Sequence, residues 1–265
     1  MSIPVVILAG RRGATQDALA QAAGVSHKCI VPVAGVPMIL RVLRTVAGAL
    51  PQSPLAVAID DLSVLEALPE VRALREAGRL RLVRAAENIV DSVVAVAREV
   101  PPPFIITTAD NVLMTSQALR RMADFARVGG AEAVFTMARR EDILAVHPTG
   151  QRRFYQFRDG DFANCNMYLV GSPAALHAAE AFRGGGQFLK APKRMIDAFG
   201  LFNLLAYRFK LRTLEGTARA AGRRFGVTLR PLVFADGRLA IDVDSEISKR
   251  VTEEILARQG ETVPA

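Results

Sequence analysis

The chain has 265 residues, 51% of them apolar, with a net charge of +8 at pH 7 and a pI of about 10.2. This length fits one large domain or two small ones, and the apolar content is ample for a buried core. The basic balance favours polyanionic partners such as nucleotides or phosphorylated substrates. Nucleic acid is disfavoured as a partner, because the sequence has no dense basic run with interleaved aromatic residues.

Other residue counts exclude further classes of protein. The two cysteines, Cys29 and Cys165, are too few for a disulfide framework and form no C-x-x-C pair, so we expect a reducing cytoplasm. Three widely spaced histidines give no zinc pattern. No apolar run reaches transmembrane length, and Met1-Ser2 leads straight into the first strand without a secretory signal. The sequence therefore predicts a cytoplasmic protein.

The first predicted strand ends in a cationic, glycine-bounded turn. The apolar run Pro4–Leu8 is typical of a buried parallel strand, and Ala9-Gly10-Arg11-Arg12-Gly13 follows it. A glycine turn lets backbone N–H groups approach an anion closely, and a following helix adds its positive end. With Lys28 downstream, the turn indicates a polyphosphate site. The spacing matches neither the G-x-G-x-x-G fingerprint nor a P-loop.

Strand and helix patterns then alternate through the first half of the chain. They predict, in order, a helix over Asp17–Ala23, a helix opened by Pro37, strand Leu55–Ile59, a helix from Ser63 to Ala77, strand Leu80–Val83, a helix from Asp91 or Ser92, a strand ending in T-T-A-D-N, a helix from Thr115 to Arg127, and strand Ala133–Met137. This order predicts a parallel sheet with helices on both faces. Ligands bind beyond the carboxyl ends of such strands, where Gly10, Asp60 and Asp110 fall.

The second half of the chain has a different pattern. It predicts a hairpin of Arg153–Arg158 and Phe162–Val170 around Asp159-Gly160, a helix from Pro173 to Phe182, a glycine joint at 184–186, a helix over Thr213–Arg223, strands Val227–Val233 and Leu239–Val243, and a closing helix from Ser245 to Arg258. The apolar stretch Leu201–Phe209 has three interpretations: a core helix, a pocket or lid for a bulky or lipid-linked acceptor, or a dimer face.

Three aspartates are candidate metal ligands. Asp110 ends a buried strand, and Asp242 and Asp244 lie two residues apart at the end of a late predicted strand, where a period of two puts both side chains on one face. A strand-end aspartate is often only a helix cap or a turn former. Together, and opposite a cationic glycine turn, the three indicate a site for Mg²⁺, which prefers carboxylate and phosphate oxygens.

A family resemblance rests on five segments of the chain. V-I-L-A-G-R-R-G, H-K-C-I-V-P-V-A-G-V-P-M-I, N-I-V-D-S-V, T-T-A-D-N and I-D-V-D-S together resemble the nucleotidyltransferases, a group with molybdenum-cofactor, sugar-phosphate, methylerythritol-phosphate and phosphocholine enzymes. The resemblance implies a three-layer α/β/α, Rossmann-like fold with a mostly parallel mixed sheet, related to the glycosyltransferase-A fold. It implies one domain over 1–265, with a nucleotide half at 1–140, an acceptor half at 141–240 and a metal-binding end at 241–265.

The resemblance also assigns roles to residues. The residues implied around the nucleotide are Leu8, Ala9, Gly10, Arg11, Arg12, Gly13, Lys28, Asn88, Ser92 and Thr108. Lys28 would hold the α-phosphate, and with Arg11 and Arg12 it forms the expected catalytic set. Asp110, Asp242 and Asp244 would bind Mg²⁺, with Mn²⁺ as a substitute. The residues expected on the acceptor side are Asn164, Asn166, Lys190 and Lys193. In one departure, Arg11 stands where the family has glycine or alanine.

The expected activity is transfer of a nucleoside monophosphate from a nucleoside triphosphate, with CTP or GTP favoured, to a phosphorylated small-molecule or lipid-linked acceptor, with release of pyrophosphate. Two alternatives stay open: a nucleotide-sugar-dependent glycosyltransferase of related fold, and a non-catalytic nucleotide-binding protein. The glycosyltransferase would leave the L-A-G turn and Lys28 unexplained. A homodimer and peripheral membrane association are also left open.

Overall fold

The computed structural model of the protein describes residues 2–11, 17–128, 130–180 and 200–260. Its strands are β1 (Val5–Leu8), β2 (Pro32–Val33), β3 (Val36–Pro37), β4 (Leu55–Ile59), β5 (Leu80–Arg84), β6 (Phe104–Thr108), β7 (Ala133–Arg139), β8 (Tyr155–Phe157), β9 (Gly160–Val170) and β10 (Leu229–Phe234). Its helices are α1 (Ala18–Ala22), α2 (Met38–Ala49), α3 (Leu62–Glu66), α4 (Pro69–Glu76), α5 (Ile89–Glu99), α6 (Ser116–Val128), α7 (Arg140–Val146), α8 (Pro173–Glu180), α9 (Leu201–Arg208), α10 (Leu214–Phe225) and α11 (Glu246–Arg258). Two 3₁₀ helices, Lys28–Ile30 and Gly237–Ala240, complete the described elements.

The main sheet has the strand order β10-β7-β9-β6-β1-β4-β5, and β8 pairs with β9 outside this path. β1 runs parallel to both β4 and β6, and β7 runs parallel to β10. β9 lies antiparallel between β6 and β7. The sheet is therefore mixed and mostly parallel, as the resemblance implied, and the carboxyl ends of β1, β4 and β6 meet at one edge.

Alternating side chains of β1 bury into two different layers. Val5 and Ile7 join the larger apolar cluster, which contains α2 residues such as Ile39 and Leu43. Val6 points to the other face, where α5 residues pack. Burial of each such side chain contributes about 1.5–3 kcal/mol to folding. Both faces of the sheet are thus covered, which gives the three layers that the sequence predicts.

Two predicted elements differ from the structure. The helix predicted over Ser63–Ala77 is two helices, α3 and α4, and Asp61 rather than Ser63 caps the first. The break comes at Leu68, which has ψ 121°, because a proline disfavours the helical conformation of the residue before it. The strand predicted over Leu239–Val243 is wrong: the 3₁₀ helix Gly237–Ala240 and an irregular segment occupy these residues.

The apolar stretch Leu201–Phe209 forms α9 and its C-terminal end. Ala206 is buried, whereas Leu205 and Phe209 are 43% and 66% exposed. A core helix alone therefore does not account for the whole stretch, and an acceptor pocket or a dimer face stays a prediction. Within the described ranges, every helix is too short or too polar to cross a bilayer. The predicted glycine joint at 184–186 lies outside the described residues.

Candidate active site

Three side chains from distant parts of the chain meet at the carboxyl edge of the sheet. Lys28 Nζ donates a hydrogen bond to Asp110 Oδ2 at 2.6 Å and another to Asp244 Oδ1. Lys28 begins the 3₁₀ helix after His27, and Asp110 lies just beyond the end of β6. The Val243 N–H donates to the Asp110 carbonyl at 3.2 Å. This backbone bond holds the segment that carries Asp244 against the end of β6.

Burial and charge shift the ionisation of this cluster in opposite directions at two residues. Burial alone lowers the pKa of Lys28, but Asp110 and Asp244 beside it outweigh burial and hold the pKa above its ordinary value. Lys28 is therefore a cation at neutral pH. Burial raises the pKa of Asp242 well above its usual range, and the like charges of Asp110 and Asp244 raise it further. The cluster has more negative groups than positive ones.

The glycine turn forms one wall of a cavity that contains Lys28. The residues that line the cavity are Leu8, Ala9, Gly10, Arg11, Asp17, Lys28, Cys29, Met38, Ala58, Ala85, Ala86, Glu87, Asn88, Ile89, Ser92, Thr108, Ala109, Asp110 and Asp244. A Cβ at Gly10 would lie 2.9 Å from Ala85 Cβ, so this position accepts only glycine without a shift of its neighbour. Thr108 Oγ1 is buried and has no hydrogen-bond partner within the described part of the chain. Arg12 and Gly13 lie outside the described residues.

Asn88 and Ser92 order the loop opposite the glycine turn. Asn88 caps α5, because its Oδ1 accepts from the Asp91 N–H at 2.9 Å. The Ala86 N–H donates to Ser92 Oγ at 2.9 Å, and Ser92 Oγ donates to the Asn88 carbonyl at 2.8 Å. The structure gives both residues a role in fixing the loop, and their contact with a base or ribose stays a prediction.

The two predicted acceptor-side asparagines lie on one face of β9. Asn164 Nδ2 donates to Asn166 Oδ1 at 2.8 Å and also to the Tyr168 hydroxyl. Asn166 has φ +48°, close to the register shift between β7 and β9. The Asn166 side chain beside Asp242 partly offsets the rise in the pKa of that carboxyl, so this face adjoins the acidic cluster. Lys190 and Lys193 lie outside the described residues.

The chemistry of the acidic residues suits a divalent cation. Asp242 Oδ1 is buried without a hydrogen-bond partner among the residues described, an environment that a cation would complete. In the same residues, no three acidic, histidine or cysteine side chains converge as a preformed metal centre. Magnesium is usually held by one or two carboxylates together with substrate phosphates and waters, and Asp110, Asp242 and Asp244 can supply these.

The geometry of the late aspartates differs from the predicted one. Asp242 and Asp244 do not follow a strand, so the period of two does not apply to them. The side chain of Asp244 is 68% exposed, whereas an oxygen of Asp242 is fully buried. Both approach Asp110 because Val243 between them is buried and hydrogen-bonded to the end of β6.

Sequence reasoning placed Asp60 at the end of a strand but gave it no role. In the structure Asp60 accepts hydrogen bonds from the Arg11 backbone and guanidinium, at 3.0 and 2.8 Å, and contacts His27 Nε2 at 3.3 Å. Arg11 thus lines the cavity with its Nε directed to a carboxylate. The H-K pair at 27–28 was visible in the sequence, but nothing there pairs His27 with Asp60.

Comparisons with known proteins agree with this architecture. Residues 5–205 match the model of the MobA-like NTP transferase domain. A hypothetical transferase from Thermus thermophilus is 22% identical with a TM-score of 0.75, over 94% of this chain and 100% of that one. A comparison with curated proteins gives no match.

Two further solved structures share the fold. A CMP:2-keto-3-deoxy-manno-octonic acid synthetase complexed with CTP is 14% identical with a TM-score of 0.58, over 97% of this chain and 100% of that one. A 4-diphosphocytidyl-2C-methyl-D-erythritol synthase from Anaerococcus prevotii is 12% identical with a TM-score of 0.58, over 97% and 98% of the two chains. The family model covers most of the sequence, so the chain belongs to the MobA-like NTP transferase domain family and is a nucleotidyltransferase.

Proposed function

We propose that the protein transfers a nucleoside monophosphate from a Mg²⁺-bound nucleoside triphosphate to a phosphorylated acceptor and releases pyrophosphate. One observation carries the proposal: Lys28 Nζ lies between Asp110 and Asp244 in the cavity that the glycine turn borders. This arrangement combines a fixed cation for a phosphate with carboxylates for a metal. The proposed catalytic set is Lys28 with Arg11 and Arg12.

The chemistry needs positioning more than a base. An oxygen of the acceptor's phosphate monoester forms a bond to the α-phosphorus, the bond from that phosphorus to the oxygen that bridges to the β-phosphate breaks, and pyrophosphate leaves with the electron pair. A phosphate monoester is already an anion near neutral pH, so repulsion between the reactants dominates the barrier. Asp110 and Asp242 or Asp244 would hold the magnesium ion, which would supply charge neutralisation on the phosphates.

Lys28 supplies a second positive charge on the path of the reaction. Its ammonium group has three N–H donors, of which Asp110 and Asp244 accept two. The raised pKa of Lys28 keeps all three protons in place at neutral pH. Among the residues that the structure describes, none accepts from the remaining donor, which we assign to a phosphate oxygen. The two carboxylates fix the direction in which the ammonium presents it.

We propose CTP or GTP as the donor. One solved structure of the same fold is complexed with CTP, and Asn88 and Ser92 fix the loop on the side where a base would lie. We propose that the acceptor, a phosphorylated small molecule or a lipid-linked one, approaches from the Asn164 and Asn166 face of β9.

The test is pyrophosphate release from each of the four nucleoside triphosphates with Mg²⁺ and a panel of phosphorylated alcohols. We expect Lys28→Ala and Asp110→Ala each to lower turnover about a hundredfold or more, because deletion of a preorganised charge costs about that much in related sites. Circular dichroism would show that both variants stay folded. Lys249→Ala is the matched control, since Lys249 pairs with Glu253 on α11 away from the cavity.

The outcomes separate this proposal from its alternatives. Near-normal turnover in either cavity variant would contradict the assigned roles. Release of a nucleoside diphosphate from a nucleotide sugar would favour the glycosyltransferase. Binding of a triphosphate without pyrophosphate release from any acceptor in the panel would favour a nucleotide-binding protein without catalysis.

A further inference from the structure

Asp60 binds residues on both sides of the segment that runs from the glycine turn to Lys28. Its Oδ1 accepts from the Arg11 backbone N–H at 3.0 Å, and its Oδ2 lies 2.8 Å from Arg11 Nε and 3.3 Å from His27 Nε2. We name Arg11, His27 and Asp60 the Asp60 cluster. One carboxylate thus contacts the residue after Gly10 and the residue before Lys28.

The cluster is fixed from below by the sheet. Asp60 follows β4, and the Ala9 N–H donates to the Ala58 carbonyl at 2.8 Å while the Ala85 N–H donates to the Ile59 carbonyl at 2.8 Å. The end of β4 is therefore hydrogen-bonded to the chain on both sides. These backbone hydrogen bonds fix the chain just before Asp60, and the short aspartate side chain leaves its carboxylate little freedom to move.

His27 transmits the position of Asp60 to Lys28. The His27 side chain is only 3% exposed, and its Nδ1 lies 2.9 Å from Ser26 Oγ. The His27 carbonyl accepts from the Ile30 N–H at 3.2 Å, which begins the 3₁₀ helix that carries Lys28. A displaced His27 would displace the start of that helix.

The cluster also gives the Arg11 side chain a defined partner. The Arg11 guanidinium makes an ion pair with Asp60, so its charge is partly neutralised and its Nε is directed to the end of β4. Although burial raises the pKa of Asp60, the Arg11 hydrogen bonds and the neighbouring His27 lower it to about 2. The carboxylate is therefore ionised, and the ion pair intact, throughout the neutral range.

We propose that Asp60 is a positioning residue for binding of the nucleoside triphosphate. Its carboxylate fixes the position of the glycine turn relative to Lys28. The inference rests on the proposed function, since it deepens the role of the same site. Asp60 need not touch the nucleotide: it acts through the residues that border Gly10 and Lys28.

The experiment has one readout with nucleotide and one without. Calorimetric titration with Mg²⁺ plus CTP, and with Mg²⁺ plus GTP, at a temperature where all variants are folded, should show Kd for the better nucleotide rising about tenfold in Asp60→Ala. Asp60→Asn, which keeps an acceptor for the Arg11 N–H, should recover part of the loss. Without nucleotide, hydrogen exchange of the amides at 17–27 should be at least about threefold faster in Asp60→Ala.

Asp61→Ala is the matched control. Asp61 is the neighbouring carboxylate and caps α3 through the Ser63 N–H at 3.1 Å, so its removal lowers stability without touching the Asp60 cluster. We expect its Kd to stay within about twofold of the wild type, because a helix cap contributes to stability alone. A purely structural effect would change Asp60→Ala and Asp61→Ala alike.

Two results would overturn the inference: unchanged exchange at 17–27 in Asp60→Ala, or an unchanged nucleotide Kd in that variant. If the wild-type protein binds neither nucleotide, the proposal of CTP or GTP as the donor fails instead. The exchange experiment without nucleotide then still decides whether Asp60 orders residues 17–27.

Discussion

In the reaction that we propose, contacts within the protein set the position of a single residue, Lys28. Two carboxylates hold the ammonium group at the cavity and raise its pKa. Such preorganisation costs no rearrangement when charge develops in the reaction. The same arrangement destabilises the ionised form of Asp242, which is buried beside Asp110 and Asp244.

The substitution Asp242→Asn should stabilise the protein when metal is absent. Burial and two like charges disfavour the ionised Asp242, and an amide of the same shape removes that penalty while losing the proposed metal ligand. Thermal unfolding in EDTA at neutral pH should therefore give a higher Tm for the variant, and Mg²⁺-dependent turnover should fall. A Tm in EDTA that is lower for Asp242→Asn than for the wild type would contradict the view that burial and like charges disfavour the ionised Asp242.

The pH dependence of the same variant follows from the sign of the shift. Because the pKa of Asp242 is raised on folding, the native state holds a proton that the unfolded state releases, and stability is lost as pH rises through that interval. The Tm difference between Asp242→Asn and the wild type should be small near pH 4 and larger at pH 7. A difference that shrinks as pH rises would contradict the direction of the shift.

Single residues were predictable where their chemistry shows in local sequence. Lys28 and Asp110 lie in short segments with strong local patterns, and the structure brings them into contact. The pairing of Arg11 with Asp60 joins positions 49 residues apart, and no periodicity carries that information. The details of the glycine turn therefore depended on tertiary contacts that local sequence does not encode.

At the scale of elements, glycine positions decide how closely segments can pack. A Cβ at Gly237 would lie 2.3 Å from the Asp142 carbonyl oxygen in α7. At Gly48, in α2, a Cβ would meet nothing within 4 Å. The 3₁₀ helix Gly237–Ala240, which precedes Asp242, can therefore pack closely against α7 only because residue 237 has no side chain.

The pair Gly237→Ala and Gly48→Ala tests this packing. Gly237→Ala should lower the free energy of unfolding by about 1–3 kcal/mol, because backbone must shift to relieve the clash. Gly48→Ala is the control, and should raise it by about 0.5–1 kcal/mol through helix propensity. Urea unfolding of both variants measures the two effects. Equal changes in the two would show that α7 does not contact Gly237 closely.

Elements were predictable where their pattern is local. Strand β4 over Leu55–Ile59 and the hairpin around Asp159-Gly160 match their predictions, because apolar runs and turn residues fix them. Helix α7 directly after β7 was not predicted, and Leu239–Val243 was assigned to a strand. That apolar run is buried against other elements, and burial without a ladder partner gives the same sequence pattern as a strand.

At the scale of the whole molecule, the charge of +8 favours a polyanionic ligand. Each nucleoside triphosphate with Mg²⁺ should raise Tm according to its affinity. At a free nucleotide concentration of a hundred times Kd, the free energy of unfolding rises by about 2.7 kcal/mol. A scan of the four triphosphates should rank CTP or GTP first, and EDTA should reduce the shift. Equal shifts for all four, unchanged by EDTA, would indicate charge attraction without a specific site.

The position of β9 also bears on how the chain can be divided. Residues 160–170 complete the sheet between β6 and β7, so a fragment that stops near residue 140 leaves two strands with bare hydrogen-bonding edges. During synthesis the edges of β6 and β7 stay unpaired until β9 has left the ribosome. A chain interrupted before β9 therefore exposes strand edges on which other chains can aggregate. If the chain is divided near residue 140, both fragments would need to be co-expressed, because β9 of the second fragment lies inside the sheet between two strands of the first.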